Sequence, residues 1–353
     1  MGWRGFTRQL VAAGRRAERQ AAMSRRRSER DAQRHHKEMV RAQKDWAKME
    51  ALQRARSEFE FFRSTVDVLL SVHKQCGTPS DWPAVARAPE PRSPAYSSAN
   101  EDSASAKLRG YRPGFFVRLF GMEAKQRADL EDDVELGRAT DRNAHNAAVA
   151  QHQSEHEAWL WYSRLSAGIL SGDLAAYEEA VGYFEPLEEL EEQGCQIQIG
   201  TAEPWYIEVN VLARDESIVP SEEKSLLASG KLSTKKMPAA KQRELYQDYI
   251  CGCALRSGRE MLALLPVEFV ITHISINMLD KATGHHGPTT VLSVALSRSG
   301  AERLNFTNLD PSDAMANFVH RMGFKKSTGF SPTKPLEPGE LRRGTAANVS
   351  ATG

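Results

Sequence analysis

Residues 238–276 read PAAKQRELYQDYICGCALRSGREMLALLPVEFVITHISI, and this stretch decides the fold. Leu245, Tyr249, Ala254, Met261 and Leu265 recur at roughly helical spacing, so a helix over 239–265 must bury one face. Pro266 lacks an amide hydrogen and cannot continue that helix. The β-branched run Val270-Ile271-Thr272, followed by Ile274 and Ile276, then suits a half-buried pleated surface, and a strand is expected over 267–276. No other part of the chain is so dense in core-type residues.

On the N-terminal side of this core, Cys195-Gln196-Ile197-Gln198-Ile199 alternates in polarity, as does the run from Tyr206 to Leu212. With 200–204 between them they predict a hairpin. A short strand is expected at 217–219, before Pro220, and a Lys-rich loop or hairpin at 225–237. On the C-terminal side, a turn through Gly284-His285-His286-Gly287-Pro288 should lead to a partner strand at 290–296. Asp310-Pro311-Ser312-Asp313 is a helix start, with Asp310 as cap and Pro311 at the first position. That helix is expected to run to Met322 and stop at Gly323. The Pro-, Thr- and Gly-rich chain after about Phe330 reads as disordered.

Further out, two long helices are expected. In the first, Met39, Ala42, Trp46, Met49, Leu52, Ala55, Phe59, Phe62, Val66, Leu69 and His73 alternate at spacings of mostly three and four, a coiled-coil-like seam. The second runs over 122–169. Between them, Pro89 to Ala106 is rich in Pro, Ser and Ala and reads as a flexible linker. The Phe-rich stretch Tyr111 to Phe120 is expected to pack against the end of a helical hairpin, with an exposed docking patch as the alternative reading.

The fold class that follows is α+β. A long antiparallel helical (coiled-coil) hairpin precedes a compact C-terminal α/β domain with a small mixed or antiparallel sheet. The expected divisions are a basic helical arm at 1–38, the first coiled-coil helix at 39–76 and a flexible linker at 77–110. A second long helix with an acidic helical segment occupies 111–193, the α/β domain 194–326, and a disordered tail 327–353.

The formal net charge of +1 conceals a strong asymmetry. Residues 1–60 hold 16 Lys plus Arg against 8 Asp plus Glu, a difference of +8; residues 123–192 hold 5 against 17, a difference of −12. Opposite charges on the two arms favour their pairing. Four cysteines in 353 residues do not form a secreted disulfide framework. No apolar run reaches the length of a transmembrane helix. The segment Met1 to Val11 is basic but lacks the compact apolar core and cleavage site of a signal peptide. A cytoplasmic location is expected, and the Ala, Arg and Glu content suits a GC-rich bacterial genome.

Candidate chemistry is sparse. Arg15, Arg16, Arg19, Arg25, Arg26, Arg27, Arg30 and Arg34 form a nucleic-acid-binding candidate, because each neutralised phosphate releases counterions. No aromatics are interleaved for base stacking, and a solvated helix or an acidic protein partner is the plainer alternative. Residues 1–34 could also touch a membrane surface through Trp3, Phe6 and Leu10. None of the common phosphate-loop, dinucleotide, zinc-protease or nucleophile-elbow motifs is present. Cys251-Gly252-Cys253 would project its thiols about 200° apart on a helix, so the pair reads as small core residues. Adjacent His285 and His286 read as a loop tip. No metal site and no cofactor are expected. The sharpest catalytic alternative is a divalent-metal nuclease using Glu208, Glu222 and Lys224, the last two in the spacing E-x-K. The leading expectation is a non-enzymatic scaffold with a coiled-coil stalk, self-associating or binding a protein partner, and a basic arm that contacts a polyanion or acidic partner.

Overall fold

The computed structural model describes residues 3–281 and 283–341, with side chains described at 34 and from 37 onward except at 201. The chain is α+β, with an N-terminal helical region and a C-terminal mixed sheet. In order, its elements begin with α1 (Trp3–Ser71), α2 (Trp82–Ala86), α3 (Ala99–Gly110), α4 (Phe115–Leu119), α5 (Glu123–Ser171), α6 (Leu174–Phe184) and α7 (Glu188–Glu192). Then come β1 (Gln196–Glu203), β2 (Tyr206–Leu212), β3 (Glu222–Leu226), β4 (Leu232–Lys236) and α8 (Ala239–Leu264). The chain continues through β5 (Phe269–Leu279), β6 (His286–Ser297), α9 (Arg298–Ala301), α10 (Pro311–Ala314) and β7 (Val319–Met322). Two compact units result. One comprises Met1–Ser71, Asp215–Tyr249 and Lys325–Gly329; the other comprises Val72–Arg214, Ile250–Phe324 and Phe330–Gly353.

In the first unit, β3 and β4 form an antiparallel hairpin that packs on α1. Gly230, at its turn with φ +77°, leaves space that a Cβ would take from Leu52 of α1. Lys224 reaches Glu58 of α1 at 3.0 Å, and Lys241 in the first turn of α8 reaches Glu223 at 2.8 Å. The strand expected at 217–219 is a 3-10 turn instead, because the Asp215 side chain caps the Ser217 amide at 2.9 Å and curls the chain.

In the second unit, α5 is flanked by α2, α3 and α6. The segment expected as a flexible linker is ordered on this helix. Asp141 of α5 accepts Asn100 Nδ2 at 2.7 Å and the Glu101 amide at 2.9 Å, and Arg138 pairs with Glu101 at 2.8 Å. Gly137 permits the approach, since a Cβ there would lie 2.9 Å from the Asn100 backbone. Along the extended part, Trp159 Nε1 donates to Ala88 O at 2.9 Å and His152 Nε2 lies 3.1 Å from Pro91 O. A Pro-rich chain has backbone acceptors to spare, and the aromatic donors of α5 take them up. Asp81 caps α2 as its position before Trp82-Pro83 implies.

The sheet has strand order β1-β2-β5-β6-β7, with β2 and β5 parallel and the other pairs antiparallel. The central helix and strand fall close to their expected bounds. Side chains alternate between two faces. Val209 and Val211, Val270 and Ile274, and Leu292, Val294 and Leu296 are fully or almost fully buried on one face. The second half of α8 covers it, and Gly258 lets it settle, because a Cβ there would lie 2.6 Å from Leu296 Cδ2. Cys251 and Cys253 are both fully buried.

Two C-terminal expectations change. The helix expected over 311–322 lasts one turn at α10; after a 3-10 turn at Met315–Asn317 the chain becomes the edge strand β7, paired with β6 through Val294 and His320. The cap at Asp310 fixes the start of a helix but not its length, and Phe318-Val319 prefers the strand offered by β6. The segment from Ser331 to Leu341, expected within a disordered tail, lies on the other sheet face with Leu336 and Leu341 buried against Tyr206, Ile271 and Ala295.

Candidate functional site

That second face is where chemistry-bearing side chains collect. Cross-strand register brings Gln198 beside Asn210, Asn210 beside His273, His273 beside Ser293, and Ser293 beside Arg321. Five polar residues thus form one row across five strands, each from a different strand. Glu208 stands two residues from Asn210 on the same face of β2. Over Gly200 of β1 their ends converge, with Asn210 Nδ2 and Glu208 Oε2 at 3.1 and 3.3 Å from where a Cβ would sit.

The middle of the row is covered. His273 Nδ1 lies 2.8 Å from Ser293 Oγ, and the Leu336 amide donates to the same oxygen at 2.9 Å. With one proton already arriving from Leu336, the hydroxyl proton can point to Nδ1. Burial pushes the His273 pKa below its ordinary 6.5, favouring the neutral ring. Arg321 reaches over the edge to Pro335 O at 2.8 Å and Glu340 at 2.7 Å, and the Thr333 amide donates to Thr290 O. Ser293 is fully buried, so this Ser–His pair fastens the 331–341 segment and presents no open nucleophile. The exposed end of the row is Gln198 and Asn210, with Glu208 half-buried.

A second polar cluster lies on α8. Arg256 Nε meets Glu260 at 2.7 Å, and its Nη atoms reach Glu189 at 2.9 Å and Gln75 at 3.3 Å. Glu260 accepts the Gly77 amide at 2.9 Å. Arg259 donates to His73 O at 2.6 Å and stacks 3.8 Å over the Phe306 ring. Trp82 Nε1 donates to Leu264 O at 2.5 Å. Arg256, Arg259, Glu260 and Leu264 each tie residues 73–82 to the helix, and Arg256 also holds Glu189, so the buried ion pair is a fastening. Burial raises the neighbouring Cys76 thiol pKa, which makes it a poor nucleophile.

The catalytic residues expected from the sequence are distributed over two sheets. Glu208 belongs to the five-stranded sheet; Glu222 and Lys224 belong to the β3–β4 hairpin, where Lys224 already pairs with Glu58 and Glu222 stands opposite Lys236. Of the arginine candidates, Arg34 is exposed, and the side chains of Arg15, Arg16, Arg19, Arg25, Arg26, Arg27 and Arg30 lie outside the described residues. Sequence reasoning did not single out the His273 row. Its signal was a polar residue set inside an apolar run, such as Asn210 in β2 and Ser293 in β6, but only the register assembles those positions.

Among the described residues, no group of three His, Cys, Asp or Glu side chains is placed to hold a metal ion. Among them also, no helix is long and apolar enough to cross a membrane. In comparisons of sequence and fold, no family model, curated protein or solved structure matches this chain.

Proposed function

We propose that the chain is a non-enzymatic interaction protein that self-associates through a coiled coil formed by α1. One observation carries this reading. Along the seam of α1, Met39, Trp46 and Met49 are 71%, 75% and 70% exposed, whereas Ala55 and Leu69 farther along are buried. Met39, Ala42, Trp46 and Met49 stand at spacings of three, four and three, the pattern of a seam that inserts into a facing helix. Burying each of these large side chains is worth roughly 1.5–3 kcal/mol, so leaving three in water is costly. A second copy offers the same seam. The antiparallel hairpin of the two long helices, a finer form of the stalk idea, is the alternative cover for it. Hydrogen exchange tests the reading: amide protection at 39–52 should rise with protein concentration, and protection independent of concentration would count against it.

The basic arm at 12–38 is assigned to a polyanion or acidic partner on its charge alone. A cytoplasmic setting is supported by four free cysteines. A second reading, a divalent-metal nuclease, draws support from the convergence of Glu208 and Asn210 over Gly200. One carboxylate can serve Mg²⁺ only where substrate phosphates complete the shell. Cleavage of DNA or RNA that needs Mg²⁺ or Mn²⁺ and is lost in Glu208→Ala would establish it; no cleavage with either metal would dismiss it.

A further inference from the structure

We propose that the tip joining α3 to α5 docks on an anionic lipid surface. At this tip, α4 exposes Phe115 (75%), Phe116 (70%) and Leu119 (63%), and its C-cap residue Phe120 is 70% exposed. At 100° per residue these positions span an arc of about 140°, so all four occupy one face of the short helix. Soluble surfaces carry single exposed apolar residues routinely, but four adjacent large ones form a patch that asks for a partner.

The surroundings of the patch select the partner. Arg112, Arg118, Lys125 and Arg127 are all exposed, and Glu123 is the sole acidic residue between 111 and 128, so this collar carries a net charge of +3. Aromatic side chains ringed by Lys and Arg match the boundary between acyl chains and anionic headgroups. The acidic turns of α5 begin at Asp129, on the side of this collar away from α4.

The tip is also held firmly. Tyr111 OH donates to Gln126 Oε1 at 2.8 Å, and the Met122 amide donates to Val117 O at 3.0 Å, locking α4 to the start of α5. Gly121, with φ +65°, makes the reversal that a side chain would strain. The Asp141–Asn100 clamp lies roughly 27 Å back along α5, counting Glu123 to Asp141 at about 1.5 Å per residue. The aromatic end therefore stands clear of the clamp on two paired helices.

Sedimentation of the full chain with phosphatidylcholine vesicles, with and without one-third phosphatidylglycerol, tests this. The protein should pellet with the phosphatidylglycerol vesicles, and the Phe116→Asp/Phe120→Asp variant should bind at least roughly tenfold more weakly. Phe116→Trp/Phe120→Trp should retain binding, and Arg112→Glu/Arg118→Glu should lose the preference for phosphatidylglycerol. All these side chains are exposed, so the circular dichroism of each variant should match the wild type. The proposal is overturned if the wild type pellets with neither vesicle, or if Phe116→Asp/Phe120→Asp pellets as the wild type does, which would place the contact elsewhere. It is also overturned if that variant changes only the oligomeric mass, which would make the patch a protein contact.

Discussion

His273 Nδ1 and Ser293 Oγ stand 2.8 Å apart at the centre of the sheet, and the same oxygen receives the Leu336 amide. This pair is the fastening of the 331–341 segment. Replacing Ser293 by Ala leaves a buried amide and a buried imidazole nitrogen without that partner. The expected cost is roughly 1–3 kcal/mol, read from urea denaturation, with faster hydrogen exchange at 333–341. An unchanged midpoint would show that the segment is held by Leu336 and Leu341 alone.

Two buried histidines make stability depend on pH. Burial is the first cause of the lowered pKa of both His73 and His273, aided at His73 by the nearby Lys74 and Arg259 charges. The unfolded chain then binds protons near the ordinary value of 6.5 while the folded chain still refuses them. Stability is accordingly full above 6.5 and falls as pH drops from there toward the lowered folded values. Denaturation midpoints should decline between neutral and mildly acidic pH, and the His273→Gln variant should show a shallower decline.

Gly137 tests the ordering of the 99–110 helix. Gly137→Ala gains up to about 1 kcal/mol of helix propensity in α5. The added Cβ, however, would stand 2.9 Å from the Asn100 backbone, and such overpacking costs roughly 1–3 kcal/mol. The steric cost outweighs the gain in propensity, so the variant should be less stable, with amide exchange at Asn100 and Glu101 raised while the sheet amides keep their protection. A variant as stable as the wild type, with those two amides still protected, would show that α3 can shift to admit the methyl group.

The basic arm is tested by salt. If it meets nucleic acid, the logarithm of affinity should fall linearly with the logarithm of salt, and binding should vanish in a chain lacking residues 1–38. Binding that survives the deletion, or that ignores salt, would remove the arginines from that role.

The core was readable because its signals are local. Pro266 ends α8, and the β-branched run after it begins β5, both decided within a few residues. The ordered 87–98 stretch and the 331–341 segment were not readable, because their composition is that of loops. Their order comes from donors and acceptors far away in the chain, such as Trp159 for Ala88 and Arg321 for Pro335. The turn at α10 shows the same limit, since Asp310 announces a helix start while partner β6 claims the chain from Val319 onward. The polar row was hidden for a related reason. Gln198, Asn210, His273, Ser293 and Arg321 are ordinary residues in sequence and become neighbours only through the register of five strands.

The most direct measurement is the mass of the full chain by light scattering across the micromolar range, beside the Trp46→Glu/Met49→Glu variant. Self-association through α1 predicts a dimer of twice 39.3 kDa for the wild type and a return to 39.3 kDa for the variant. A wild-type mass of 39.3 kDa at every concentration, or a variant that stays dimeric, would contradict it.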